Sequence, residues 1–100
     1  MPKLSVTVSH SLGQAEAASR LGGFMGVIKS KYADQIKIVE EDFGETSGKF
    51  AFKTMGLTIS GVVDIGETEV TVNLDLPFAA MMVKGRIEKE MRSSLEKVLS

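Results

Sequence analysis

Residues 57–76 read LTISGVVDIGETEVTVNLDL, and the spacing of the apolar residues along them decides the fold. Leu57, Ile59, Gly61, Val63 and Ile65 alternate with Thr58, Ser60, Val62 and Asp64, and Val70, Val72, Leu74 and Leu76 alternate with Glu69, Thr71, Asn73 and Asp75. A period of two is that of a strand with one face buried and one wet. Gly66-Glu67-Thr68 between the two runs is turn chemistry, so together they predict an antiparallel hairpin.

Upstream the same period continues. Lys49 to Thr54 places Phe50 and Phe52 inward, and Gly56 supports a tight reversal into Leu57. Gln35 to Phe43 places Ile36 and Ile38 on one face, and bringing Phe43 to that face requires a bulge near Glu40 to Asp42. Gly44-Glu45-Thr46-Ser47-Gly48 is again a turn. Four strands joined by short turns, with no helical interruption, make a meander covered on one face only. At the start of the chain Leu4, Val6 and Val8 alternate with Ser5, Thr7 and Ser9, which predicts a fifth strand.

Two helices flank this meander. Ser11-Leu12-Gly13-Gln14 has the spacing of a capping box, in which the Ser11 hydroxyl and the Gln14 side chain each satisfy a free backbone N–H. From there Ala17, Ala18, Leu21, Phe24, Met25, Ile28 and Tyr32 share a third of a helical circumference, with Gly22, Gly23 and Gly26 on the opposite side. Pro77 suits a helix entrance, and Phe78 to about Leu99 reads as a second long helix with its stripe at Ala80, Val83, Ile87, Met91, Leu95 and Val98. The order is β-α-β-β-β-β-α. One apolar sheet face and two apolar helix stripes are mutually satisfied when both helices lie across that face. The expected fold is therefore α+β, a single helix-grip-like domain over residues 1–100. Its antiparallel sheet is expected in the order 1-5-4-3-2, an order taken by analogy with helix-grip folds.

Composition narrows the function. The chain has 100 residues, 43% of them hydrophobic, no cysteine, one histidine and a net charge of -1. These values exclude a disulfide scaffold, thiolate catalysis and a thiolate zinc site, and they lack the basic signature of a nucleic-acid binder. No run of about 18 to 20 apolar residues suggests a transmembrane segment, and the start lacks the apolar core of a secretory signal. The expected address is cytoplasmic. Charge is distributed by layer: residues 1–33 carry +3, residues 34–77 carry -6 and residues 78–100 carry +2. The helical layer is expected to be basic and the sheet layer acidic, either as complementary solvated layers or as a basic surface for an anionic partner.

Little in the chain suggests catalysis. His10 sits between Ser9 and Ser11, but neighbours on an extended segment point to opposite sides, whereas a nucleophile and its base must converge. Glu40, Glu41, Asp42 and Glu45 lack the loop spacing of a calcium site. Gly22 to Gly26 has neither form of nucleotide loop and falls inside a helical pattern, where it permits close approach of another element or weakens the helix. No cofactor, metal or enzymatic activity is expected.

The start of the second helix is more informative. With the stripe centred near Val83 and Ile87, Phe78 and Met82 point the other way and Met81 lies on a flank, giving an outward apolar patch followed by Lys84 and Arg86. Methionine suits contact with an irregular surface.

The start Met1-Pro2-Lys3-Leu4-Ser5, the junction His10-Ser11-Leu12-Gly13, the central Phe50-Ala51-Phe52-Lys53-Thr54-Met55-Gly56 and above all Leu76-Pro77-Phe78-Ala79-Ala80-Met81-Met82-Val83-Lys84-Gly85-Arg86-Ile87-Glu88 resemble the polyhydroxyalkanoic acid system protein family, also called the polyhydroxyalkanoate granule region family. The resemblance spans essentially the whole chain and supplies no catalytic residue; the Gly22 to Gly26 stretch departs from the more charged first helix of that pattern. It implies a small bacterial cytoplasmic protein linked to polyhydroxyalkanoate synthesis, regulation or granules. The leading expectation is a non-enzymatic accessory protein that binds the granule surface or a granule-associated protein through Phe78, Met81 and Met82, with Lys84 and Arg86 beside them. The alternatives are a binding module for a small hydrophobic ligand such as an acyl chain, with Phe50, Phe52, Leu57, Ile59 and Val72 as pocket walls, and a structural homodimer that uses the Gly22 to Gly26 face or the Phe78 patch.

Overall fold

The computed structural model describes residues 3–54 and 56–100. Met1, Pro2 and Met55, which fall in the start and central motifs quoted for the resemblance, lie outside the described residues. The elements are β1 (Lys3–Ser9), α1 (Gln14–Lys31), β2 (Lys37–Phe43), β3 (Ser47–Thr54), β4 (Leu57–Ile65), β5 (Glu69–Asp75), a 3-10 helix (Phe78–Val83) and α2 (Lys84–Leu99). The strands form one antiparallel sheet in the order β1-β5-β4-β3-β2, as expected. Period-two alternation turns directly into burial: Leu4, Val6 and Val8 on β1 and Val70, Val72 and Leu74 on β5 are buried under the helices. The opposite face is polar, with the Thr7 and Thr71 hydroxyls 3.0 Å apart across the two strands.

The bulge in β2 is present, placed slightly earlier than the sequence suggests. The register shifts between Ile38 and Glu40, so Val39 is the extra residue; Ile38 then faces Phe52, Glu41 faces Phe50 and Phe43 faces Gly48. Counting back from Phe43, this turns Glu41 toward the helices, where it pairs with Lys29 of α1. That ion pair joins the basic helical layer to the acidic sheet layer at an edge strand. At the other edge Arg92 of α2 donates to the Thr7 carbonyl at 3.0 Å, occupying an acceptor that an open edge would present to another chain.

Two expectations are corrected at the helix starts. Ser11 and Gln14 form no capping box: α1 begins after Gly13, whose φ of 82° is open to glycine, and no side chain caps the helix. Gln14 instead donates to the Ile65 carbonyl at 2.7 Å, while His10 accepts the Leu12 N–H on Nδ1 at 3.2 Å and donates from Nε2 to the Gly66 carbonyl at 3.1 Å. The β1–α1 junction is thus stitched to the β4–β5 turn, and His10 serves as a junction residue. The second correction concerns the long C-terminal helix, which is two pieces. Phe78 to Val83 is a 3-10 helix whose Ala80 N–H reaches the Pro77 carbonyl at 2.9 Å, and α2 starts only at Lys84. Ala80 is its one buried residue, fastening the short segment to the core before the axis changes.

Burial along the two long helices runs in opposite directions. On α1 it falls from Ala17 and Leu21 through Met25 to Ile28, with Tyr32 exposed just past its end; on α2 it falls from Leu99 and Leu95 through Met91 to Ile87, with Val83 exposed just before its start. Arg20 ties the well-buried ends together by donating to the carbonyls of Val98 (3.3 Å) and Ser100 (2.7 Å). The helices are therefore closed over β1 and β5 at one end and open toward β2 and β3 at the other.

Candidate functional site

The open end forms a half-open cavity of about 540 Å³, within the range of small-molecule sites. Its floor is aromatic: Phe43, Phe50 and Phe52 rise from β2 and β3, with the Phe50 and Phe52 rings stacked 6.2 Å apart at 10° to one another. The space above the floor depends on two glycines. A Cβ on Gly61 would lie 2.6 Å from Phe50 Cζ and 2.7 Å from Leu74 Cδ2, and one on Gly48 would lie 2.6 Å from the Phe43 ring. Because each glycine faces its partner ring directly across the sheet, both rings lie down against backbone instead of standing up into the space. The Gly22, Gly23 and Gly26 face, by contrast, is exposed, and a Cβ at any of the three would meet nothing within 4 Å.

Of the residues expected as pocket walls, Phe50, Phe52 and Val72 line the cavity, while Leu57 and Ile59 do not. Ile59 is buried in the core opposite Phe52, and Leu57 is half-buried at the head of β4. The helical wall was missing from that expectation: Phe24 and Ile28 come from α1, and Ile87 and Met91 from α2. Its signal was present as the two amphipathic stripes, read there as core. Polar groups enter on α2 alone. Arg86, Glu90 and Ser94 are spaced four apart on one line of the helix, and the first two are exposed at the mouth with Arg86 Nε 3.8 Å from Glu90 Oε1.

The second feature is the outward patch. Phe78 is 78% exposed, Met82 97%, Met81 46% and Val83 45%. Val83 belongs to both features, since it also lines the cavity. Arg86 is exposed beyond the patch, and Lys84 is half-buried. Among the described residues no cluster of three or more His, Asp and Glu side chains is arranged to hold a metal, and no helix is long and apolar enough to cross a membrane.

A family model described as "Putative polyhydroxyalkanoic acid system protein" matches residues 4–99, nearly the whole chain. No curated protein matches it.

Proposed function

We propose that this chain, which belongs to the polyhydroxyalkanoic acid system protein family, is a non-enzymatic accessory protein that attaches to the polymer granule, or to a protein on it, through Phe78, Met81 and Met82. The observation that carries the reading is the exposure of Phe78 and Met82 on a helical segment fastened by the buried Ala80. Because Ala80 already holds the backbone of the segment, contact has to order the Phe78 and Met82 side chains but not the chain that carries them. Fully burying one Phe or Met side chain contributes about 1.5–3 kcal/mol, offset by the cost of immobilising the protein. Lys84 and Arg86 follow the patch and suit anionic groups such as the carboxylate ends of polyester chains. The protein would work in the cytoplasm, where such granules lie.

Fractionation of polymer-accumulating cells tests this. The wild-type protein is expected with the granules and Phe78→Asp in the supernatant; a wild-type protein wholly in the supernatant overturns the proposal. A size-exclusion mass of twice the monomer that returns to the monomer in Phe78→Asp would give the patch to a homodimer instead.

The cavity favours a second reading, in which the chain is a binding module for a small hydrophobic ligand. Its volume and nearly uniform apolar lining support this, and the surfaces of the two readings meet at Val83 and Arg86.

A further inference from the structure

Building on the reading of the cavity as a ligand site, we infer that its occupant is one unbranched acyl chain, with the tail over Phe50 and Val72 and the carbonyl-bearing end at Arg86. Capacity sets the first limit. At about 30 Å³ per water-sized unit, about 540 Å³ holds on the order of eighteen heavy atoms. That admits a single medium-length chain and is too small for a two-chain lipid.

Chemistry sets the second. The floor and the α1 wall are apolar, contributed by Phe43, Phe50 and Phe52 below and by Leu21, Met25 and Ile28 beside them. A ligand with polar atoms along its length would leave them unpaired there, at a cost comparable to a lost hydrogen bond for each. A ligand with one polar end avoids this if that end lies at the mouth, where Arg86 offers a planar guanidinium held only loosely by Glu90 at 3.8 Å. Gly48 and Gly61 set the depth, because any side chain at either position drives an aromatic ring into the space the tail occupies.

Isothermal titration calorimetry on the full chain tests the assignment with three probes: dodecanoate, dodecanoyl-coenzyme A and 1-dodecanol. One equivalent of dodecanoate or of the thioester is expected to bind, and the tighter of the two identifies the source of the chain. Met91→Trp and Ile28→Trp fill the cavity from opposite walls and are expected to weaken binding at least tenfold while the thermal transition is retained. Arg86→Gln is expected to weaken the acyl probes about fivefold or more without changing the alcohol, and Phe78→Asp to change neither. Equal binding of alcohol and acyl probes with no effect of Arg86→Gln overturns the placement of the polar end. If a hydrophobic dye binds in a Met91→Trp-sensitive way and no chain displaces it, the acyl assignment fails while the ligand reading stands. If neither dye nor chain binds, both fail.

Discussion

Gly61 of β4 stands directly across from Phe50 of β3, so close that a Cβ there would lie 2.6 Å from the Phe50 Cζ atom. The same missing side chain admits Leu74 from β5 on the other flank. One glycine therefore fixes the packing of three strands and the height of the cavity floor. Gly61→Ala is expected to destabilise the fold by about 1–3 kcal/mol, the range for overpacking a well-filled interior. Chemical denaturation measures this directly, and an unchanged midpoint would mean that the Phe50 ring is free to move.

The contrast between Leu76 and Met82 tests which apolar residues belong to the core. Leu76 is fully buried, so Leu76→Ala is expected to cost about 2–5 kcal/mol. Met82 is almost wholly exposed, and Met82→Asp is expected to stay within about 0.5 kcal/mol of the wild type. A large loss of stability in Met82→Asp would show that the patch is packed in solution.

Arg20 holds the closed end of the helical layer through the carbonyls of Val98 and Ser100. These bonds are partly exposed, and Arg20→Ala is expected to cost about 1 kcal/mol. Hydrogen exchange is the sharper readout: amides in the last turns of α2 should lose protection while those of β4 and β5 keep theirs. Uniform loss across the sheet would contradict the role given to Arg20.

His10 bridges the β1–α1 junction to the β4–β5 turn by accepting from the Leu12 N–H and donating to the Gly66 carbonyl. Deleting both bonds in His10→Ala is expected to cost about 1–2 kcal/mol. His10→Asn can retain the local bond to Leu12, as short polar side chains do in Asx turns, but cannot reach Gly66. It should therefore fall between the wild type and the alanine variant in a thermal melt; equal stability of all three would remove the junction role.

The fold was legible because β3, β4 and β5 show their buried faces by alternation; β2 needed a bulge to bring Ile38 and Phe43 to one face, and the place of β1 beside β5 followed from analogy with helix-grip folds, not from periodicity. The patch was legible because Ala80 and Val83 share the inward side of the segment, so the outward direction of Phe78 and Met82 holds for a 3-10 helix as it does for an α-helix. The break at Val83 was not, since the two helix types draw on the same apolar residues and the choice follows from where α2 must lie on the sheet. Ser11 misled for a related reason: its spacing to Gln14 is that of a cap, but the positive φ at Gly13 turns the chain before the cap can form. The cavity was legible only in part. Phe50, Phe52 and Val72 were readable as an inner face, whereas empty volume depends on where rings come to rest, and that was decided by Gly48 and Gly61.

Granule attachment through Phe78 and Met82 is tested most directly by co-sedimentation of the purified chain with isolated polyhydroxyalkanoate granules at low and high salt. The wild-type protein is predicted to pellet at both, because apolar contact is not screened by ions, and Phe78→Asp and Met82→Asp to bind at least tenfold more weakly. A wild-type protein that stays in the supernatant, or variants that pellet as well as it does, would contradict the proposal.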